Sequence, residues 1–419
     1  MGMYQISRGG SRVGPLSVRR QSATHPAVSK ATGYNKTNTY FSSSESGRRC
    51  NNQRKRSVVL CGLNNSQTTG TSTSATAVAR DNLRLALPSK GRMAEDTLAL
   101  LKDCQLNVVK PNPRQYVAQI SQMPGVEVWF QRATDVVRKL TYGDVDIGFV
   151  GHDMVAEIGD GHEELLIVHD ALGYGSCHLA LGVPATGKFA DVNTIEDLKN
   201  MAWSASNPLR VVTGYHNIAR KFFAEVGMEH VELLSADGAL EAAPAMGCAD
   251  IILDLVSTGV TLRENNLKEI EGGKIMESEG VLVVNKTSLL ERPGMMELVH
   301  ELLERLEAHL VAQKYYSVIV NMTGTSADDV SERLIQAGLG GLQGPTVSSV
   351  YPEGAPGGYF AAIVCVPKKE LYPAVKSLRK LGGSGVLVQP MTYIFDDEPP
   401  RWLALTNNLG ISTKSIDFA

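Results

Sequence analysis

Ala249-Asp-Ile-Ile-Leu-Asp-Leu-Val-Ser-Thr-Gly-Val-Thr-Leu262 decides how this chain is read. Its apolar part reads as a buried strand. Ser257, Thr258, Gly259, Val260 and Thr261 then supply hydroxyls and backbone N–H groups at a strand-to-helix turn. The positive end of a helix dipole behind such a turn suits a phosphate monoester. Asp250 and Asp254 are acceptors placed for the vicinal hydroxyls of a sugar. Phosphate donors followed by hydroxyl acceptors describe a phosphoribosyl pocket. The alternative is a buried strand ending in an ordinary turn, with one aspartate as a structural cap.

Upstream, βα alternation points to a largely parallel sheet. Leu83–Pro88 is a strand, Ser89-Lys-Gly-Arg92 a polar turn, and Met93–Cys104 a helix. Glu127–Phe130 is a strand, Asp135–Thr141 a helix, and Asp144–Gly151 a strand breaking into a glycine turn. The pattern restarts at Cys177–Val183, with Thr194 as an N-cap and Asp197 at the third helical position. Leu209–Gly214, Ile218–Val226, Val231–Leu234 and Ala239–Met246 alternate strand and helix into the opening segment. Ile275–Asn285 returns to strand, and Gly294–Gln313 is a long helix. Two such lobes in series imply a ligand held between them.

From Tyr315 to Phe395 the order is βαββαβ, that of the ferredoxin-like fold. This unit carries no nucleophile and no phosphate loop, which leaves a regulatory or an oligomerisation module. The fold class is therefore α/β: two βα lobes of periplasmic-binding-protein-like type, then a C-terminal ferredoxin-like domain. The expected boundaries are 80–174 plus 274–313 for lobe I, 175–273 for lobe II, 314–400 for the ferredoxin-like unit, and 401–419 for a tail.

Residues 1–79 hold eleven Lys or Arg against the single acid Glu45, so this leader is +10 and the rest is −13 in a chain of net −3. A Ser/Thr-rich, basic, acid-poor leader without an apolar core has transit-peptide composition, with plastid favoured over mitochondrion. An acidic body speaks against nucleic acid, and no apolar run approaches a membrane span. The six cysteines show no zinc or CxxC spacing.

Three segments carry a family resemblance: Glu241-Ala-Ala-Pro-Ala-Met-Gly247 running on to Leu262, Leu83–Arg92, and Asp144–Gly151. Together they resemble ATP phosphoribosyltransferase, and the resemblance extends from Leu83 to Phe395. The C-terminal unit is similar to the regulatory domain of the long form, which binds histidine. The resemblance implies that adenine N1 of ATP attacks C1 of 5-phosphoribosyl 1-pyrophosphate as the first step of histidine synthesis. It also implies feedback inhibition by histidine, a homo-oligomer (a hexamer of dimers), Mg²⁺ as cofactor, and a plastid location. The 5′-phosphate falls to Ser257–Thr261, with Asp250 and Asp254 beside it. ATP falls to Lys90, Arg92, Asp146, Gly148 and Gly151. Glu241 could accept a proton from the adenine amino group; its alternative is a carboxylate favouring a helix N-terminus. Val108–Ile120 departs from the family pattern. Competing readings are a salvage-type phosphoribosyltransferase, which usually has two adjacent acids before the loop, and a two-lobed solute binder.

Overall fold

The computed structural model describes residues 80–411 apart from 113, 237 and 352–357. The leader and its transit reading lie outside the described residues, as do residues 412–419. The chain opens with β1 (Leu83–Pro88), α1 (Gly91–Asp103), β2 (Val108–Val109), β3 (Val117–Ile120), β4 (Val126–Gln131), α2 (Ala133–Thr141), β5 (Ile147–Gly151), α3 (His152–Ile158) and β6 (Leu165–His169). It crosses into β7 (Cys177–Pro184), α4 (Ile195–Lys199), β8 (Leu209–Thr213), α5 (His216–Glu225), β9 (Val231–Ser235), β10 (Ile251–Val256), α6 (Val260–Glu264) and β11 (Leu267–Ser278). It then returns through β12 (Gly280–Asn285), α7 (Lys286–Glu291) and α8 (Met295–Ala312).

Lobe I is built on a seven-stranded sheet, β2-β3-β4-β1-β5-β12-β6, and lobe II on a five-stranded one, β11-β7-β10-β8-β9. Both are mixed, which corrects the expectation of a largely parallel sheet. The β4-β1-β5 and β10-β8-β9 centres are parallel, but β12 runs antiparallel to β5 and β7 antiparallel to β10. The reversal follows from the chain crossing between lobes twice, so each sheet receives a strand entering from the other side. Ile275–Asn285 is likewise two strands: β11 ends lobe II at Ser278, and β12 starts lobe I at Gly280. The crossing therefore falls at Glu279 and not at 274.

The Thr194 cap is present as a full capping box, with Asp197 N–H donating to the threonine hydroxyl. Ala239–Met246 is not an α-helix. Only Leu240–Ala242 makes a 3₁₀ turn, which Ala239 enters with φ of 53°. Pro244 brings no backbone donor that could extend it. Within the Val108–Ile120 segment, β2 and β3 pair antiparallel at the sheet edge.

The ferredoxin-like unit comprises β13 (Tyr315–Thr323), α9 (Ala327–Gln336), β14 (Thr346–Val350), β15 (Tyr359–Pro367), α10 (Leu371–Lys380) and β16 (Ser384–Pro390). Its sheet order is β14-β15-β13-β16, all antiparallel. Its core is its own, centred on Val318, Val320, Leu334, Val364 and Leu378.

The stretch expected to be a tail contains a helix, α11 (Pro400–Leu409), with proline in its first turn. Trp402 and Leu405 sit in the core of lobe I, and Arg401 pairs with Asp170 at 2.7 Å and with Glu307 at 3.3 Å. On the way there, Ile394 N–H donates to the Ala308 carbonyl at 3.0 Å. The ferredoxin-like unit is thus held between two elements of lobe I, α8 and α11.

Candidate active site

Ligands of open α/β sheets collect outside the carboxyl ends of the parallel strands. In lobe I those ends are Pro88-Ser89-Lys90, Gln131-Arg132 and Gly151, which share one hollow of about 250 Å³. Each is followed at once by a helix: α1, α2 and α3. None of the three is capped by its own N-cap side chain, but the first two N–H groups of α3 go to the Glu279 carbonyl and the Ser278 hydroxyl, which leaves the starts of α1 and α2 to an anionic ligand.

In lobe II the equivalent end of β10 is the Ser257–Thr261 loop. Ser257, Thr258, Val260 and Thr261 are exposed, while Leu262 is buried and pins the short α6 behind them. Gly259 turns the chain with φ of 67°, where a Cβ would be strained and would meet the Arg263 guanidinium at 3.0 Å. Arg263 in turn donates to the Thr258 carbonyl at 3.2 Å. The loop is a fixed cradle with outward hydroxyls.

A cleft of about 370 Å³ joins the two halves, lined from lobe I by Arg92, Met93 and Gly151 and from lobe II by Cys177, Leu255 and Ser257. Arg92, Gly151 and Ser257 are therefore brought to one space, with Thr258–Thr261 following Ser257, while Lys90 lines the adjoining lobe I hollow, which shares Met93, Ala133 and Gly151 with the cleft. Asp254 points from the last turn of β10, and burial pushes its carboxyl pKa up. The nearby Glu241 charge adds to that rise, and a hydrogen bond from Leu255 N–H opposes it. Glu241, on the 3₁₀ turn, is thus close enough for its charge to reach Asp254 on the strand.

Three residues expected at the site are elsewhere. Asp250 precedes β10, so a strand of about 20 Å separates it from the loop. It is buried and bonded to Arg210 at 3.0 and 3.1 Å and to Lys188 at 2.8 Å. Burial alone would raise its pKa, but those bonds from Arg210 and Lys188 hold it below the ordinary carboxylate value. Asp146 lies before β5, at the opposite end from Gly151. Fully buried, it takes bonds from Arg80 and Ser288 at 2.8 Å each and from the Arg84 N–H at 2.8 Å, with Arg292 at 3.3 Å. Gly148 is inside the sheet, where a Cβ would fall 2.8 Å from Val136; it serves packing. Both aspartates are structural ion-pair centres.

The structure also brings in residues that the motifs do not mark. Arg132 lies in the lobe I hollow. Asp153 is buried in the cleft wall and accepts a bond from the Tyr215 hydroxyl at 2.8 Å. Burial, then the Asp153 charge, raise the Tyr215 pKa, so this phenol stays a donor. A Gly-x-Asp sequence leaving a strand was the available signal for Asp153. Nothing local marks its partner.

Two facing sets of strand ends, one with open helix N-termini and a basic turn and the other with a hydroxyl cradle, offer places for two anionic ligands across one cleft. That is the layout of a group transferase. The profile of the ATP phosphoribosyltransferase family matches residues 132–308, and that of its C-terminal domain matches 312–393. ATP phosphoribosyltransferase 2, chloroplastic, of Arabidopsis thaliana is 55% identical over 347 residues, covering 82% of this chain and 84% of that one. ATP phosphoribosyltransferase of Bradyrhizobium sp. (strain ORS 278) is 32% identical over 77% of this chain and 97% of its own. The solved ATP phosphoribosyl transferase complex of Thermotoga maritima aligns at 25% identity and a TM-score of 0.42, over 54% of this chain and 98% of that one. The chain belongs to the ATP phosphoribosyltransferase family and is a glycosyltransferase of the pentosyl class.

Proposed function

We propose that the cleft transfers phosphoribosyl from 5-phosphoribosyl 1-pyrophosphate to N1 of ATP, the first step of histidine synthesis, with ATP on lobe I and the donor on lobe II. The observation carrying this assignment is that the strand ends of both lobes open on one cleft, with the hydroxyl cradle on one wall only. Ser257–Thr261 hold the 5′-phosphate with hydroxyls and N–H groups. Asp254, at the loop end of β10 and within reach of the Glu241 charge, takes the ribose hydroxyls; this displaces Asp250 from that role. Lys90, Arg92 and Arg132, beside the open ends of α1 and α2, hold the triphosphate and offset charge on the departing pyrophosphate. N1 carries its own lone pair, so the chain's part is alignment of two anions and stabilisation of the leaving group.

Among the described residues no group of three or more His, Cys, Asp or Glu is arranged to hold a metal. The residues fit a Mg²⁺ that arrives on the pyrophosphate and keeps most of its waters, as this cation prefers. Such an ion would screen the charge of two anionic substrates; the chain's own contribution there is the carboxylates of Asp254 and Glu241. A plastid location is supported by chloroplastic relatives and the basic leader.

Thr258→Ala and Thr261→Val test the donor site. Each removes a hydroxyl from a charged phosphate, about 1.5–3 kcal/mol. The KM for the donor should rise by roughly 10- to 100-fold while that for ATP stays within about twofold, read from near-ultraviolet absorbance of the N1-substituted product. Equal loss for both substrates would remove the loop from its role.

Histidine inhibition is assigned to the ferredoxin-like unit, which has its own core. Truncation after Gln313 cannot test this, because it also removes Trp402 and Leu405 from lobe I. Replacing 314–390 by a short flexible linker keeps α11. That variant is expected to turn over substrate without inhibition by histidine. Inhibition at an unchanged histidine concentration would put the effector in the lobes.

A further inference from the structure

Asp153, in the first turn of α3, is 6% exposed, and both its carboxylate oxygens and its N–H are bonded to residues outside its own lobe. One carboxylate oxygen accepts from the Tyr215 hydroxyl of lobe II at 2.8 Å. The other accepts from the Ser278 hydroxyl at 2.8 Å, and Ser278 accepts the Asp153 N–H at 3.0 Å. Ser278 is the last residue of β11, next to the second crossing between the lobes. One turn along α3, Glu157 receives the N–H groups of Asn217 and Ile218 at 3.0 Å, the open donors at the start of α5 in lobe II. Two carboxylates four apart share one face of a helix, and both are committed to the opposite lobe. Gly151 makes room for this: a Cβ there would lie 2.2 Å from the Asp153 carboxylate.

We propose that Asp153 is a positioning residue for the transfer, setting the separation of the lobes through Tyr215 and Ser278. The proposal rests on the assignment of ATP to lobe I and the donor to lobe II. Each half-site is built within one lobe, from the α1 and α2 termini on one side and the Ser257–Thr261 cradle on the other. Loosening the tie therefore leaves both half-sites whole but lets the nucleophile and the reacting carbon drift apart. A misplacement of about 1 Å can cost about 100-fold in rate. Tyr215 also ends the strand-to-helix turn of lobe II and lies close enough to Asp254 for that charge to raise its pKa. The tie thus runs from the lobe I wall into the region of Asp254.

Tyr215→Phe removes one hydroxyl and keeps the ring in the lobe II core. In the full-length chain, kcat is expected to fall by about 10- to 100-fold. KM for both substrates, and calorimetric affinity for the donor, should stay within about threefold. Ser278→Ala should act in the same direction and serves if Tyr215→Phe does not fold. The double variant should lose no more than about the larger single loss, because both act through one carboxylate. A wild-type kcat in both single variants overturns the proposal, as does a rise in KM that accounts for the whole loss of kcat/KM. Absence of product with the unaltered chain would instead count against the transfer reading itself.

Discussion

Thr258→Asp should abolish transfer while leaving the fold in place. The substitution sets a carboxylate in the cradle where a phosphate must sit. At about 4 Å and the effective dielectric of a protein surface, two like charges cost about 4 kcal/mol, close to a 1000-fold loss in kcat/KM for the donor. Thr258 is exposed, and a carboxylate just ahead of α6 suits the helix dipole. Circular dichroism and the unfolding midpoint should therefore match the wild type. ATP affinity, measured alone by calorimetry, should be unchanged, since lobe I is untouched. Retention of more than about a tenth of wild-type kcat/KM would mean the phosphate binds elsewhere.

Asp146→Ala is expected to produce the opposite pattern, a large stability loss with little effect on the chemistry. The fully buried carboxylate compensates both Arg80 and Arg292 and takes bonds from Ser288 and the Arg84 backbone. Removing it leaves two guanidinium groups facing an apolar gap, at about 3–5 kcal/mol. The denaturation midpoint in urea should fall accordingly, while kcat of the folded enzyme at low temperature stays within about twofold, because the cleft is at the other end of β5. A selective rise in KM for ATP without a change in midpoint would return Asp146 to the nucleotide site. The same logic gives Arg80 a structural duty: any N-terminal processing that leaves a stable enzyme has to spare it.

The contrast between Asp146 and Gly151 shows what could be read in advance. Alternation of apolar and polar residues placed β1, β5, β10 and the whole ferredoxin-like unit within a few residues, because period and turn chemistry are local. A family-like segment, however, includes both ends of its strand. Asp250 and Asp254 are four apart and share a face, yet only the second is near the turn; strand direction relative to the cleft separates them. Tyr215 and Ser278 escaped notice because their partner is 62 and 125 residues away. The short 3₁₀ turn before Pro244 was hidden by alanines, whose helix propensity points the other way. Glu241 was visible as well, with acceptance of an adenine proton and a helix N-terminal carboxylate both open; what the local sequence did not mark is the 3₁₀ turn that brings its charge within reach of Asp254.

The docking of α11 has a consequence for the order in which the molecule can be finished. The core of lobe I draws Leu85 and Phe149 from the start of the described chain, Leu282 and Leu302 from its middle, and Trp402 from its end. Lobe II and the ferredoxin-like unit are nested inside that sequence, each with a core that waits for nothing made after it: lobe II borrows only Met154 and Ala156 from the earlier α3, and the ferredoxin-like core is its own. During synthesis those two can close as soon as they emerge. Lobe I, whose first strand leaves the ribosome before either of them, must keep an apolar seat open for a tryptophan some three hundred residues later. Such late, long-range closure is slow and leaves sticky surface exposed meanwhile, so the part of the enzyme that is begun first is the part that most needs a chaperone.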